Sequence, residues 1–413
     1  MSKKFAKDKQ YYKFCLYGFL KNLRFFEPFL ILFFLEKGIV FFQIGILYSI
    51  REIGRNILEI PSGVIADALG RKKSMIFAFI TYIISFIIFS LSSKFYLFII
   101  AMIFYSIGDA FRTGTHKAMI FEYLKIKGWK NQKVHYYGHT RSASQIGSAV
   151  SSILAAILVL YTGKYNLIFI FSTIPYILDL ILMITYPNVL NGKVSAISFS
   201  EVKTNFKSIL SDFFLSFKQK KIIKAIGNLS VHSSVFRISK DYLQAIIFSF
   251  TLGIPILTNI NNNQKSAIFI GLIYFIIFIL TSWVSRKSGV FADKMKSIEK
   301  PLNLTLIIGF VFLLLSGVFY HYQFYIFSII LFLGIHLIEN LRNPIGVAYL
   351  SDMYSEDILA TALSANSQAK SIIAAIFAPI IGYLADSFDI GIALCLISAF
   401  LIAIFPFLKV KKN

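Results

Sequence analysis

The sequence predicts an all-α integral membrane protein whose twelve transmembrane helices form two pseudo-symmetric six-helix bundles. Three observations carry this. The 413 residues are 57% hydrophobic and 16% aromatic but only 15% charged, with a mean hydropathy of +0.70, too little polar surface to cover a water-soluble globule. Apolar windows able to cross roughly 30 Å of hydrocarbon, about 20 residues each, recur twelve times. Landmarks in the first six windows return in order in the last six.

The windows cover residues 14–35, 43–66, 74–92, 96–119, 139–161, 165–186, 224–252, 266–285, 303–320, 323–351, 361–385 and 388–408. No stretch outside them can bury a separate soluble core. The basic start MSKKFAKDKQYYK runs straight into the first window without a small-residue cleavage site, and reads as a retained anchor. A long polar connection separates windows six and seven, giving bundles at 1–188 and 222–413 joined by a linker at 189–221. Within the linker Phe199, Val202, Phe206, Ile209 and Phe213 recur at helical spacing, which predicts an amphipathic helix on the cytoplasmic surface.

A net charge of +22 would suggest nucleic acid in a soluble protein, but its distribution decides otherwise. Lys and Arg crowd the N-terminus, the connections after windows two, four, six and eight, and the tail KVKKN. The alternate connections carry only Lys37, Lys94, Lys164 and Lys265. This pattern predicts a multi-pass protein of the plasma (inner) membrane with both termini cytoplasmic. The connection after window ten, with Asp352, Glu356 and Asp357, departs from it and is outvoted. Insertion into the bilayer accounts for the charge, so no nucleic-acid partner is expected, even at the basic run Lys125 to Lys133.

Cys15 and Cys395 lie in windows near opposite ends of the chain, without metal-ligand spacing. No phosphate-cradling glycine loop, Ser/His/Asp arrangement or Cys-x-x-Cys is present. Metal, cofactor and enzyme readings therefore lack the residues they need.

The duplication is explicit. SGVIAD, Ser62 to Asp67, returns as SGVFAD, Ser288 to Asp293. Asp109, Arg112 and Glu122 return as Glu339, Arg342 and Asp352 with identical spacing, and SQIGS at Ser144 to Ser148 returns as SQAKS at Ser367 to Ser371. Repeated six-helix halves suit transport by rocking one bundle against the other around a midplane site.

Gly63, Asp67, Gly70, Arg71 and Lys72 in GVIADALGRKK follow the pattern Gly-x-x-x-Asp-x-x-Gly-Arg-Lys/Arg. In this the chain resembles the major facilitator superfamily, whose members carry that motif between helices 2 and 3, and the likeness extends over essentially the whole chain. It implies a secondary transporter that functions as a monomer without a cofactor. It also implies a cytoplasmic gate in which Asp67, Arg71 and Glu122 form a charge relay. Asp67 is then expected near the start of helix 11, around Thr361 to Ser364, where free N–H groups favour an anion. In the second copy Lys296 and Ser297 replace the Gly and Arg, so the gate formed by Asp293 and Asp352 is expected to be weaker. The minimal loops resemble compact bacterial efflux-type members, which points to export by antiport.

Charges inside the windows locate the expected substrate and proton cavity. Asp109, Arg112 and His116 follow at helical intervals along one face of window four. That face must look into the bundle, because a lipid-facing Arg costs roughly 2.5–3.5 kcal/mol on insertion scales. Window two supplies Glu52, Arg55 and Glu59 with Arg51 alongside. Window one supplies Lys21, Arg24 and Glu27, window seven Arg237, Lys240 and Asp241, and window ten His336, Glu339 and Arg342. Asp179 stands alone in window six.

The competing reading makes pairs such as Asp109 with Arg112, or Glu52 with Arg55, permanent struts. With Lys21 set aside as a snorkelling residue, the cavity charges come close to balance with a small cationic excess. That leaves Arg side chains to clamp an anionic group. Substrate competing for an Arg would release its acidic partner to bind a proton, with Glu27, Glu59, Asp109 and Glu339 as candidates. The expected function is proton-coupled secondary transport of a small organic solute by alternating access, leaning to export by antiport. The alternatives are organic-anion uptake by symport, and a non-transporting membrane sensor or assembly partner.

Overall fold

A computed structural model describes residues 7–192, 220–255, 259–295, 297–353 and 356–410, with side chains at all of these except 60, 131, 134, 220–222, 352–353 and 356–362. Apart from short 3-10 turns, the regular structure among the described residues is α-helical: α1 Lys9–Leu20, α2 Leu30–Glu36, α3 Phe41–Leu69, α4 Arg71–Leu91, α5 Phe95–Arg112, α6 Thr115–Ile126, α7 Lys133–Thr162, α8 Leu167–Ile184, α9 Lys220–Ser239, α10 Tyr242–Leu252, α11 Asn262–Lys294, α12 Glu299–His321, α13 Tyr325–Met353, α14 Glu356–Ser387 and α15 Ile390–Leu408. The helix expected in the linker falls at residues outside the described ones.

Nine of the twelve windows appear among the described residues as helices long and apolar enough to cross a membrane, with α5 and α6 forming one such stretch. The other three depart for physical reasons. Window two is the single helix α3, long enough but loaded with Arg51, Glu52, Arg55, Glu59 and Asp67. Window one is broken: α1 ends at Leu20 and α2 begins at Leu30, with a 3-10 turn at Glu27–Phe29 between them. Pro28 has no N–H to donate and disfavours the α conformation in the residue before it. Lys21, Arg24 and Glu27 therefore do not share one helix face as the spacing suggested.

Carbonyls exposed by that break are capped locally. Asn22 Nδ2 donates to the Gly18 carbonyl at 2.7 Å, and Arg24 Nε and Tyr176 Oη donate to that of Lys21 at 3.3 and 3.2 Å. Unsatisfied backbone groups at membrane depth are costly, so such partners are required. Window seven splits at Lys240–Asp241 into α9 and α10, with no Gly or Pro there to announce it. Window four also breaks, at Thr113–Gly114. Gly114 has φ +82°, a left-handed value glycine adopts without strain, so Arg112 closes α5 while His116 opens α6.

The chain divides into two compact units, Met1–Pro28 with Gly54–Phe206, and Phe29–Ile53 with Lys207–Asn413. The division thus falls inside windows one and two as well as in the linker. In the first unit α1 packs on α7 and α8, and α4 on α5, α6 and α8. Gly108 sets the α4–α5 distance: a Cβ there would meet Thr81 Oγ1 at 2.9 Å and the Ala78 carbonyl at 3.0 Å.

In the second unit α12 packs on α13 and α15, α9 on α14, and α11 on α10 and α13. The first turns of α3 are clasped to α14. Asp386 accepts from the amides of Phe41 and Phe42 at 2.9 and 2.7 Å, and Ser49 Oγ donates to the Ala375 carbonyl at 2.5 Å. Gly45 lies where a Cβ would come within 2.5 Å of the Ala378 carbonyl, and Gly382 packs against the Phe41 carbonyl. Small residues let backbones approach where lipid offers no hydrophobic drive to associate.

Candidate substrate site

In the first unit the charges gather around Asp109. Its Oδ1 accepts from an Arg112 guanidinium nitrogen at 2.6 Å and from Tyr82 Oη at 2.8 Å, and its Oδ2 lies 3.4 Å from Arg55 Nε. Arg112 Nε closes the ring by donating to Tyr82 Oη at 3.0 Å. Two guanidiniums and a phenol hold one buried carboxylate, so this acid sits in a strut. Arg24 Nε donates to Tyr176 Oη at 3.1 Å, and Glu27 interacts electrostatically with Arg24. Glu59 is half-buried and makes no ion pair among the described residues.

Where α5 gives way to α6 a cavity of about 510 Å³ opens. Lys21, Arg55, Arg112, Lys117 and Arg141 line it with His116, Tyr17, Tyr137, Thr113, Gly114, Thr140, Ser144 and Gln145. Five basic side chains line it and no carboxylate does among the described residues; Arg55 and Arg112 reach past the wall to Asp109. The His116 ring stacks on Tyr17 with centroids 3.6 Å apart, and its Nε2 lies 3.1 Å from Tyr186 Oη. Lys117 covers the Tyr137 ring at 5.2 Å. Tyr17 is buried, yet its Oη has no hydrogen-bond partner among the described residues. The residue capping α6 is Gly114, which offers no side chain to the first-turn amides.

Asp179 on α8 is fully buried, and neither carboxyl oxygen has a hydrogen-bond partner among the described residues. Its electrostatic neighbours are Lys21 and Arg112, both on the cavity wall.

The loop motif forms part of what the resemblance implied. Arg71 pairs with Asp67 at 3.2 Å. Gly70 has φ +100°, a conformation that excludes side-chain-bearing residues without strain, and it turns the chain from α3 into α4. Lys72 is spoken for elsewhere: its amide donates to Asn191 Oδ1 at 3.1 Å, and its Nζ to the Tyr186 carbonyl at 2.9 Å and Asn188 Oδ1 at 3.2 Å. Glu122 lines a shallow recess with Arg71, Lys125, Lys130 and Lys133 but forms no ion pair among the described residues. Gly63 faces open space. The side chains of Asp352 and Thr361, expected in the two gates, lie outside the described ones.

In the second unit the expected residues are bound into separate clusters. Glu52 is paired with Arg237 at 2.5 Å and with Arg51 at 3.3 Å, and accepts from Ser371 Oγ at 3.2 Å. The expected Glu52–Arg55 pair is therefore not formed, since Arg55 goes to Asp109. Asp241 accepts from Tyr48 Oη at 2.9 Å and lies 3.2 Å from Lys240 Nζ. Glu339 takes His232 Nδ1 at 2.8 Å and Ser233 Oγ at 2.7 Å. Arg342 turns away from Glu339: it donates to the Leu302 carbonyl, to Thr305 Oγ1 at 3.0 Å, and to the carbonyl and Oδ1 of Asn228 at 3.0 and 2.7 Å. It ties α9, α12 and α13 together.

Within each unit the expected charges fall into distinct clusters. Sequence reasoning missed Lys117 and Arg141, whose charges are indistinguishable from insertion signals near a membrane edge. It set Lys21 aside, although Lys21 lies three residues before Arg24. It also had no signal for His232.

Comparison with known proteins places these features in context. The family profile of the Major Facilitator Superfamily matches residues 15–335. The uncharacterised MFS-type transporter YxaM of Bacillus subtilis (strain 168) is 20% identical over 379 residues, covering 91% of this chain and 89% of that one. The solved structure of the nucleoside transporter NupG superposes with a TM-score of 0.76 at 15% identity, over 98% of this chain and 100% of that one. A POT family transporter in complex with 5-aminolevulinic acid superposes at 0.72 and 13% identity, over 99% and 98%. At such identities the structural likeness establishes the fold alone.

Proposed function

The chain belongs to the major facilitator superfamily and is therefore a multi-pass membrane transporter, and we propose that it carries a small organic anion, taken up together with protons by alternating access. One observation carries this reading: the cavity of the first unit is lined by Lys21, Arg55, Arg112, Lys117 and Arg141, and while Asp109 pairs with Arg55 and Arg112 behind the wall, Lys21, Lys117 and Arg141 make no ion pair among the described residues. Like charges in a partly dehydrated cleft repel one another, and an anion entering it relieves that repulsion. Guanidinium forks and lysine ammoniums suit carboxylate and phosphate alike.

Asp179 is the proton carrier in this proposal. It is a buried acid without a hydrogen-bond partner among the described residues, whereas Asp109 is held by three groups. Its neighbours Lys21 and Arg112 also face the bound anion, so proton and anion are felt by the same two cations. An inside-negative membrane already expels anions by about 2.3 kcal/mol per charge per 100 mV, so proton coupling does useful work inward. The lean to export rests on loop length alone and gives way to this argument. The protein acts in the plasma (inner) membrane as a monomer with both termini cytoplasmic.

The test is reconstitution into vesicles with a trapped pH dye. An external organic anion should acidify the lumen. Asp179→Asn should abolish the acidification while the anion still raises the melting temperature of the detergent-purified variant. Stabilisation of the parent by cationic solutes and not by anions would overturn the proposal.

A further inference from the structure

We infer that the shallow recess shared by α4, α6 and α7 holds the headgroup of an anionic phospholipid, so that this face of the first unit docks on a negatively charged lipid surface. The inference goes beyond the transport reading above and rests only on the chain being a multi-pass membrane protein.

The recess falls where hydrocarbon gives way to water. The spanning stretch that contains α6 ends at Ile126 and the next begins at His135, so Lys130 and Lys133 lie in the short connection between them. Gly128, at φ +70°, turns the chain after α6. Lys125 from the last turn of α6 thereby shares the recess with Lys130 and with Lys133 at the start of α7. Arg71 joins them from the start of α4, Phe121 forms part of the wall, and the volume is about 370 Å³.

These charges are arranged for a ligand and not for insertion alone. Arg71 is already neutralised by Asp67 at 3.2 Å, and Glu122 brings one carboxylate into the recess. Lys125, Lys130 and Lys133 are exposed and make no ion pair among the described residues, which leaves a cationic surplus. Insertion asks only that positive charge be present in the connection. It does not ask that ammonium groups gather on one concave surface, nor that they rest on aromatic rings. Here Lys117 and Lys133 both cover the Phe121 ring, at 5.5 and 5.2 Å, and Lys127 lies over Tyr123 and Trp129 at 5.7 and 5.9 Å. Lysine stems laid along apolar surface with their heads in water suit the level of the headgroups, where aromatic rings also collect. Basic pockets and clusters beside membrane helices recognise anionic headgroups.

Charge narrows the lipid class. With Glu122 among the lysines the surplus is modest, which suits the single negative charge of a phosphodiester better than the near-dianion of a phosphate monoester. Glu122 can also accept hydrogen bonds from headgroup hydroxyls. Phosphatidylglycerol offers both features, whereas phosphatidylcholine has no net charge and no hydroxyl donor.

The experiment uses the full chain in bilayer discs, with Trp283→Phe so that Trp129, next to Lys130, is the remaining tryptophan. Brominated acyl chains quench its fluorescence. Quenching by brominated phosphatidylglycerol diluted in phosphatidylcholine, compared with the reverse labelling, reads the relative affinity beside the recess. Phosphatidylglycerol should be preferred by about tenfold, and the preference should fall towards one as salt is raised to about 1 M. The triple variant Lys125→Gln/Lys130→Gln/Lys133→Gln should abolish the preference, and arginine at the same three positions should keep it. Should the triple variant fail to insert, Lys133→Gln alone should lower the preference by about three- to fivefold. Millimolar glycerol phosphate should leave it unchanged.

Equal quenching by the two lipids in the parent overturns the inference. A preference that survives both high salt and the glutamine variants overturns the recess as the site, and displacement by glycerol phosphate assigns it to a soluble ester and overturns the lipid. Any of these leaves the transport reading standing, because Lys125, Lys130 and Lys133 do not line the substrate cavity.

Discussion

Asp109 shows how far a residue's sequence context underdetermines its task. Its spacing from Arg112 was legible as an ion pair on one helix face, and the 2.6 Å contact bears out that geometry. That Arg55 and Tyr82 complete the cluster was not legible, because both come from helices whose register against α5 is set by packing. Asp109→Ala leaves two guanidiniums in a buried site and should destabilise the detergent-purified protein by about 3–5 kcal/mol. Replacing Asp109, Arg55 and Arg112 together by apolar residues should recover much of that loss, as read by thermal unfolding. Arg342→Met should cost stability for a different reason, removing the charged donor from the Leu302 carbonyl and from the carbonyl and Oδ1 of Asn228. A loss of about 2–3 kcal/mol is expected, with the Glu339–His232 contact intact and transport per folded molecule retained.

At the scale of elements, the breaks decide where function sits. Gly114 and Pro28 are visible in the sequence as residues that end helices, yet the hydropathy windows ran straight through both. The break at Lys240–Asp241 carries no such residue, so only the packed structure reveals it. Glycines separate cleanly by environment. Gly70→Ala should destabilise by about 1–3 kcal/mol, the cost of holding a side-chain-bearing residue at positive φ. Gly63→Ala, facing open space on α3, should be neutral or stabilise by up to about 1 kcal/mol through helix propensity. Gly382→Ala places a methyl against the Phe41 carbonyl and should cost about 1–3 kcal/mol by overpacking. Thermal melts of the three variants side by side check the order.

Across the whole molecule, the two halves repeat a pattern and use it differently. Asp109 and Arg112 pair with each other, whereas Glu339 takes His232 and Arg342 turns to backbone carbonyls. The charge distribution that predicts both termini in the cytoplasm is checked by reporter fusions: a cytoplasm-active reporter at the C-terminus or in residues 127–131 should be active, and one beside Lys37 or Lys164 inactive. Composition, apolar windows, the repeated landmarks and the GVIADALGRKK motif were enough to determine an all-helical, multi-pass transporter of this superfamily. They suffice because the bilayer demands long apolar helices whatever their partners, and because duplication preserves order. Which charges pair with one another and which line the cavity of the first unit was decided only by tertiary structure. Pairing depends on distances of a few ångströms between helices far apart in sequence, and a guanidinium reads the same in a sequence whether it meets a carboxylate or a backbone carbonyl.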